Sequence, residues 1–226
     1  MTPAPYRVLV LAKAPVPGRV KTRLGATVGM TAAADLAAAA LLDTVVAANA
    51  AVGPGRCLLA LDGDLRAGQR ADDLGAALAG WRSYPQRGDG LGRRIAAAHA
   101  DAGPGPVVQI GMDTPQVGVA DLDGVAARLA HAPAVLAPAA DGGWWALALR
   151  DPSRAAAVAA VPMSTATTHD DTRRALEAAG TAVTGAPVLA DVDTATEAAA
   201  VAQAYPDLWF SLVWFELGGG AGRISG

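Results

Sequence analysis

Lys13, Arg19, Lys21 and Arg23 place four cations within eleven residues of one short segment. Like charges so close together repel one another unless an anion sits among them, and phosphate is the natural anion for such a cluster. Gly18, inside the segment, has no side chain to hold backbone N–H groups away from that anion. The chain has 16 arginines and only two lysines, and both lysines fall here. That points to chemistry wanting a compact ammonium rather than a planar guanidinium. The competing reading is a solvated run of charge.

Carboxylates recur where a phosphate site would need them. Asp113 ends the apolar run Val107-Val108-Gln109-Ile110-Gly111-Met112, ahead of Thr114-Pro115. Asp191 and Asp193 follow a second apolar run and precede a helix. Magnesium typically takes one or two carboxylates, several waters and phosphate oxygens of its substrate. Asp113 and Asp193 beside the basic segment meet that demand, with Asp191 as the alternative ligand. The structural alternatives are a turn cap before Pro115 and a helix N-cap at Asp193 or Thr194. Gly88-Asp89-Gly90-Leu91-Gly92 opens a helix, and Gly88 and Asp89 there would meet a base or phosphate, although turn chemistry explains them equally well.

Two familiar phosphate fingerprints are absent. A Walker loop needs glycine before its Lys-Thr pair, where this chain has Val20, and Pro15 replaces that loop's first glycine. No Gly-x-Gly-x-x-Gly follows a strand. Hydrolase signatures are missing too, since there is no Gly-x-Ser-x-Gly and Cys57 falls in mid-strand. His99, His131 and His169 are scattered. Only His169, near residues 164–168, would reach an acceptor.

Strands and helices must bring these residues together. Apolar runs predict strands over 6–12, 56–61, 81–84, 106–112, 134–137, 144–149 and 182–189. Helices are expected over 31–50, with Thr31 as cap, and over 69–79, 91–101, 120–130, 153–159, 172–179 and 194–204. This alternation predicts a mostly parallel sheet with helices on both faces. The runs at 134–137 and 144–149 are close enough to form a hairpin, so one strand should run antiparallel. In such a sheet ligands bind beyond the carboxyl ends of the strands, where residues 13–24 and Asp113 must lie.

At 226 residues one domain over 1–217 is expected, with a flexible tail over 218–226. A net charge of −3 and pI near 5.5 argue against a nucleic-acid partner. The N-terminus lacks a signal-peptide pattern, and the apolar stretch at 208–215 is too short to span a bilayer. A single cysteine supports no disulfide framework, so a cytoplasmic location without membrane contact is expected. Five of the ten aromatics crowd into residues 205–215. They read first as a segment closing over the core and second as a subunit contact in a homodimer.

Taken with residues 86–94, 111–115, 141–143 and 191–194, the basic segment resembles the glycosyltransferase-like family of the GT-A superfamily. It is similar, more distantly, to the guanylyltransferase of deazaflavin-cofactor biosynthesis. The resemblance runs to about residue 203. It implies a single Rossmann-like GT-A domain, Mg2+ or Mn2+ on Asp113 and Asp193, and a phosphate loop of Lys13, Arg19, Lys21 and Arg23. The turn Asp141-Gly142-Gly143 would face the acceptor. Position 140 is alanine where relatives often carry a second acidic residue, and Trp144 and Trp145 stand where they often have tyrosines.

The reading that follows is metal-dependent transfer of a nucleotidyl group from a nucleoside triphosphate to a phosphorylated small-molecule acceptor. Lys21, Arg19 and Asp113 would carry the catalysis, by positioning and charge neutralisation. Glycosyl transfer from a nucleotide sugar is the alternative, and a non-catalytic nucleotide- or partner-binding protein the third.

Overall fold

The structure, a computed structural model, describes residues 5–218. The expected tail lies outside the described residues from residue 219 on. Seven strands form one sheet: β1 Arg7–Lys13, β2 Cys57–Asp62, β3 Arg82–Pro85, β4 Val107–Ile110, β5 Ala134–Pro138, β6 Trp144–Leu149 and β7 Val183–Gly185. Their order is β3-β2-β1-β4-β6-β5-β7, and β6 alone runs antiparallel, against both β4 and β5. The expected hairpin is this β5–β6 pair.

Central strands such as β1 are buried on both faces, so their sequences are continuously apolar rather than alternating. Alternate residues still divide between two cores. Val8, Val10, Leu59 and Val108 face α2 (Met30–Val52), α3 (Ala71–Ala77) and α5 (Val119–Arg128). Leu9, Leu11, Leu58 and Val107 face α4 (Leu91–Ala102), the 3₁₀ turn Pro152–Val158 and α6 (Thr168–Ala178). A third cluster joins Leu24 of α1 (Thr22–Val28), Leu36 of α2, Val201 of α7 (Ala195–Ala204) and Phe210 of α8 (Trp209–Glu216).

Several boundaries differ from expectation for local reasons. Helix α2 starts at Met30, and Gly29 at φ 91° rather than Thr31 occupies its N-cap. The segment expected as a helix at 153–159 is 3₁₀, and α6 begins four residues earlier than 172. Only Val183–Gly185 of the expected 182–189 strand pairs with β5, because Pro187 lacks an N–H to continue the ladder. An isolated bridge between Ala139 and Leu189 keeps the chain beside the sheet further on.

Helix α2 is long and apolar enough, by length and composition, to cross a membrane, yet 67% of its most apolar window is buried inside the fold. That burial is a core helix's. Helix α8 lies across it with Phe210, Val213 and Trp214 buried, so the aromatic segment does close over the core. Asp43 of α2 accepts hydrogen bonds from the backbone N–H groups of Trp209 and Phe210, both at 2.9 Å, and so ties down the start of α8.

Burial pushes the Asp43 carboxyl up to about 6, although these two N–H groups pull the other way. In the unfolded chain it ionises near ~3.9, so the folded state holds the proton more tightly. The stability gained is full below the unfolded value and is lost as pH rises through about 6. Asp43→Asn carries no such proton. Relative to this variant, the wild type should lose roughly 2–3 kcal/mol between pH 4 and 7 in urea unfolding. A constant difference across that range would refute the shift.

Candidate active site

Strand β1 connects to β2 on one side and lies beside β4 on the other, which opens a crevice at its carboxyl end. The loop that leaves β1 is braced on both sides. Ala14 N–H donates to Asp62 O at 2.8 Å, and Gln69 N–H donates to Pro15 O at 3.0 Å. Gly18 at φ 76° turns the loop back, and Lys21 ends it in the left-handed region at φ 46°, directly before α1. A lysine there is uncommon, and it persists only where its surroundings hold it.

What holds Lys21 is a pair of carboxylates. Its Nζ lies 2.5 Å from Asp113 Oδ1 and 3.2 Å from Asp193 Oδ1, and it also donates to Val192 O. Val192 N–H donates to Asp113 O at 2.9 Å, so the 191–193 loop is fastened to the end of β4. Glu197 then accepts from the N–H groups of Asp193 and Thr194, both at 2.8 Å, completing the capping box of α7. The Lys21 side chain is only 6% exposed, whereas those of Asp113 and Asp193 are nearly half exposed. Burial alone would lower the Lys21 pKa, but the two aspartates more than offset it and hold the ammonium above its usual value.

Asp191, two residues before Asp193, accepts from the Thr114 hydroxyl at 2.6 Å. Burial pushes its carboxyl up to about 6; the Thr114 bond and Lys21 pull it down, while Asp113 and Asp141 push it further up. A carboxyl in that range can take up a proton near neutral pH.

Two adjoining cavities meet at Asp113 and Asp193. One, of about 540 Å³, is lined by Lys13, Arg19, Lys21 and Arg94. Arg94 is held by Asp62 at 2.7 Å, and Gln86 Nε2 bridges the Ala12 and Ala60 carbonyls. The other, of about 450 Å³, is lined by Asp141, Asp191, Gln109, Trp144 and Thr165 among others. Arg23 sits at its rim, 76% exposed and 3.4 Å from Asp193 Oδ2. Charge is therefore largely segregated, with Lys13, Arg19, Lys21 and Arg94 on one side of the Asp113–Asp193 line and, apart from Arg23 at the rim, carboxylates on the other.

The structure thus gathers Lys13, Arg19, Lys21, Arg23, Asp113, Asp141, Gly143 and Asp193 around one cleft. Asp141 Oδ1 accepts from Gly143 N–H at 2.8 Å, and Gly142 is the turn's hinge at φ 90°. A Cβ on Gly142 would lie 2.3 Å from Ala166 O, so only glycine lets this turn press against residues 164–168. Gly88 and Asp89 line neither cavity. Gly88 packs on Arg93, and its carbonyl accepts from Arg94 Nε, so this stretch positions Arg94 instead. Gly18 and Gly142 shape the two loops without lining the cavities. His169 lines neither; its backbone N–H donates to Gly142 O. Gln109 is not singled out in the sequence, and Arg94, Gln86 and Thr114 lie inside segments of the resemblance without a role, because strand register and helix docking alone bring them to the edge. Cys57 is buried, which pushes its thiol up to about 12 and away from nucleophilic chemistry.

Among the described residues no group of three or more His, Cys, Asp or Glu side chains is placed to hold a metal. Asp113 and Asp193 nevertheless converge on one cation, the Lys21 ammonium, and present hard oxygen donors in the number that Mg2+ commonly takes. The donor set fits a divalent ion that shares its carboxylates with Lys21.

A family model described as "Uncharacterized protein conserved in bacteria (DUF2064)" matches residues 42–165. No curated protein compared matches the chain. Among solved structures, a Desulfovibrio desulfuricans G20 protein named provisionally as a nucleotide-diphospho-sugar transferase is 24% identical, with 96% of each chain covered and a TM-score of 0.82. A Leptospira borgpetersenii cytidylyltransferase is 12% identical over 95% of this chain and 92% of its own, with a TM-score of 0.58. A CMP:2-keto-3-deoxy-manno-octonic acid synthetase complexed with CTP is 12% identical over 85% and 95%, with a TM-score of 0.54. These likenesses establish the GT-A-like fold that the basic segment and its companion motifs implied.

Proposed function

This chain belongs to the DUF2064 family, and we propose that it is a nucleotidyltransferase working at the cleft between β1 and β4. The observation that carries this reading is the charge segregation across Asp113 and Asp193. A nucleoside triphosphate fits the cation-lined cavity, with Lys13 and Arg19 on the phosphates farthest from the nucleoside. An acceptor fits the carboxylate-lined cavity on the far side. Mg2+ or Mn2+ on Asp113 and Asp193 would neutralise phosphate charge between them. The fold shared with a cytidylyltransferase and a CTP-bound synthetase supports the reading.

In the transfer, an acceptor oxygen forms a bond to the α-phosphorus, and the bond from that phosphorus to pyrophosphate breaks. Lys13 and Arg19 bind the departing pyrophosphate. When the acceptor oxygen is a hydroxyl, its proton passes to the Asp191 carboxylate, whose second oxygen has no hydrogen-bond partner among the described residues. Most of the rate comes from holding the two substrates in line, since phosphoryl-type transfer needs little covalent help from protein.

Glycosyl transfer from a nucleotide sugar is the second reading. Lys21 and Arg94 are already paired with aspartates, which leaves Lys13 and Arg19 without an ion pair among the described residues, enough for a diphosphate. A thermal-shift panel of nucleoside triphosphates and nucleotide sugars, with and without Mg2+, tests both. At a hundred times its Kd the true donor adds about 2.7 kcal/mol of stability. Asp113→Asn and Asp193→Asn should remove the Mg2+-dependent share while leaving the fold intact. Absence of stabilisation by every triphosphate and nucleotide sugar would overturn the proposal.

A further inference from the structure

The cation-lined cavity also holds a fixed hydrogen-bond acceptor. Gln86 follows directly on β3, and its backbone N–H donates to Leu61 O of β2 at 2.9 Å. Its Nε2 then spends both amide hydrogens on the neighbouring strands, donating to Ala12 O at 2.9 Å and to Ala60 O at 3.0 Å. Turning the amide over would set Oε1 against two carbonyl oxygens and leave both without a donor, so the orientation is locked. Oε1 itself takes no hydrogen bond among the described residues and is not one of their buried unpaired oxygens. It is therefore open to the cavity that Gln86 lines.

An acceptor is the wrong group to offer a phosphate. Lys13, Arg19, Lys21 and Arg94 serve that part of a ligand, and a lone amide oxygen among them would repel it. The parts of a nucleotide that bring hydrogen-bond donors are the base and the sugar. Leu91 lines the same cavity with 44% of its surface exposed, an apolar face of the kind a flat ring packs on.

We propose that Gln86 reads the base of the donor nucleotide and selects one that presents an exocyclic amino group. An amino N–H completes the pairing of Oε1, whereas a keto oxygen in its place sets acceptor against acceptor. The ring N–H of uracil is no substitute, because it lies between two carbonyl oxygens that meet the same repulsion. Since the strands hold the amide rigidly, it cannot turn its nitrogen toward a keto base without losing two hydrogen bonds. The inference rests on the reading of this cavity as the donor side, and it adds a preference among bases that the cations cannot supply.

Calorimetric titration of the full chain in the presence of Mg2+ tests it with matched pairs: CTP against UTP, ATP against ITP, and GTP against ITP. At least one amino-bearing triphosphate should bind about tenfold or more tightly than its counterpart. Gln86→Met, which removes the acceptor, should bring that ratio to within about threefold. Gln86→Lys is the second variant should methionine misfold, because its ammonium still donates to the Ala12 and Ala60 carbonyls while offering no acceptor. A merely structural Gln86 would lower the thermal midpoint and weaken both members of a pair alike, leaving the ratio where it was. The proposal falls if every pair binds wild type within about threefold, or if the ratio survives in both variants. It falls too if the variants lose affinity for a ribonucleotide but not for its 2′-deoxy form, since Oε1 would then meet the sugar. A wild type that binds none of these triphosphates overturns the donor reading of the cavity itself, and this inference with it.

Discussion

Lys21→Met should bind Mn2+ ten- to a thousand-fold more tightly than wild type in the absence of nucleotide, as read by electron paramagnetic resonance or calorimetry. Lys21 is the cation that Asp113 and Asp193 already share, at 2.5 and 3.2 Å. A divalent ion arriving at those oxygens meets a like charge a few ångströms away, and at an effective dielectric near 20 such a repulsion is roughly 4 kcal/mol. Methionine keeps the stem's bulk and removes the charge. Because both carboxylates are nearly half exposed, water can solvate them once the ammonium is gone. When Mg2+ takes Asp113 and Asp193 the wild-type ammonium is released to phosphate, so the same variant should bind the Mg2+–triphosphate complex about 10- to 100-fold more weakly, through the loss of one charge-assisted contact of roughly 1.5–3 kcal/mol. Opposite signs for metal and nucleotide are the diagnostic. Lys21→Asn, whose side chain tolerates the left-handed backbone of this position, supplies a second variant should methionine misfold. Unchanged Mn2+ affinity in both would mean that metal does not use these carboxylates.

The architecture was legible because its strands are either continuous apolar runs or close neighbours in the chain. Runs such as 107–110 announce buried parallel strands, and the five-residue connection from β5 to β6 announces a hairpin. Elements carrying weak local signals were hidden. Helix α1 starts at a left-handed lysine with no side-chain cap and contains Gly25, so residues 13–24 read as loop throughout. Helix α8 is apolar almost all round, and its N–H groups are capped by Asp43, 166 residues away from Trp209. No local pattern carries that information.

The site divides in the same way. Residue types at strand ends disclosed the cations and the aspartates, because the sheet edge is where such residues gather whatever their partners are. Pairing was not legible. Lys21 reaches Asp113 and Asp193 only because Val192 is hydrogen-bonded to the end of β4, a contact between residues 79 positions apart. Gln109 lies within an apolar run, and its place on the wall of a cavity appears only once α4 and β6 have closed around it. Gly88 and Asp89 illustrate the reverse case, in which turn chemistry that looked like a phosphate cradle serves to orient Arg94.

Lys13 and Arg19 should together account for most of the affinity for the outer phosphates. Both line the cation-rich cavity, both are exposed, and neither forms an ion pair among the described residues, so each can turn to a ligand without breaking a contact. Lys21 and Arg94 lack that freedom, being held by Asp113 and Asp62. Each charge-assisted contact to phosphate is worth roughly 1.5–3 kcal/mol, so Lys13→Ala with Arg19→Ala should weaken triphosphate binding about 10²- to 10⁴-fold. Two exposed alanines on a surface loop should leave the unfolding midpoint nearly unchanged. Phosphate number sets the pattern across ligands: the loss should be largest for the nucleoside triphosphate, smaller for the diphosphate and slight for the monophosphate. Because the two side chains are solvated, raising salt from 0.05 to about 0.5 M should shrink the wild-type advantage toward the double variant. Calorimetry across three phosphate lengths and two salt concentrations measures all of this. Equal losses for di- and triphosphate would shift the balance to a nucleotide-sugar donor. A loss of less than threefold for every ligand would make the basic loop a solvated turn.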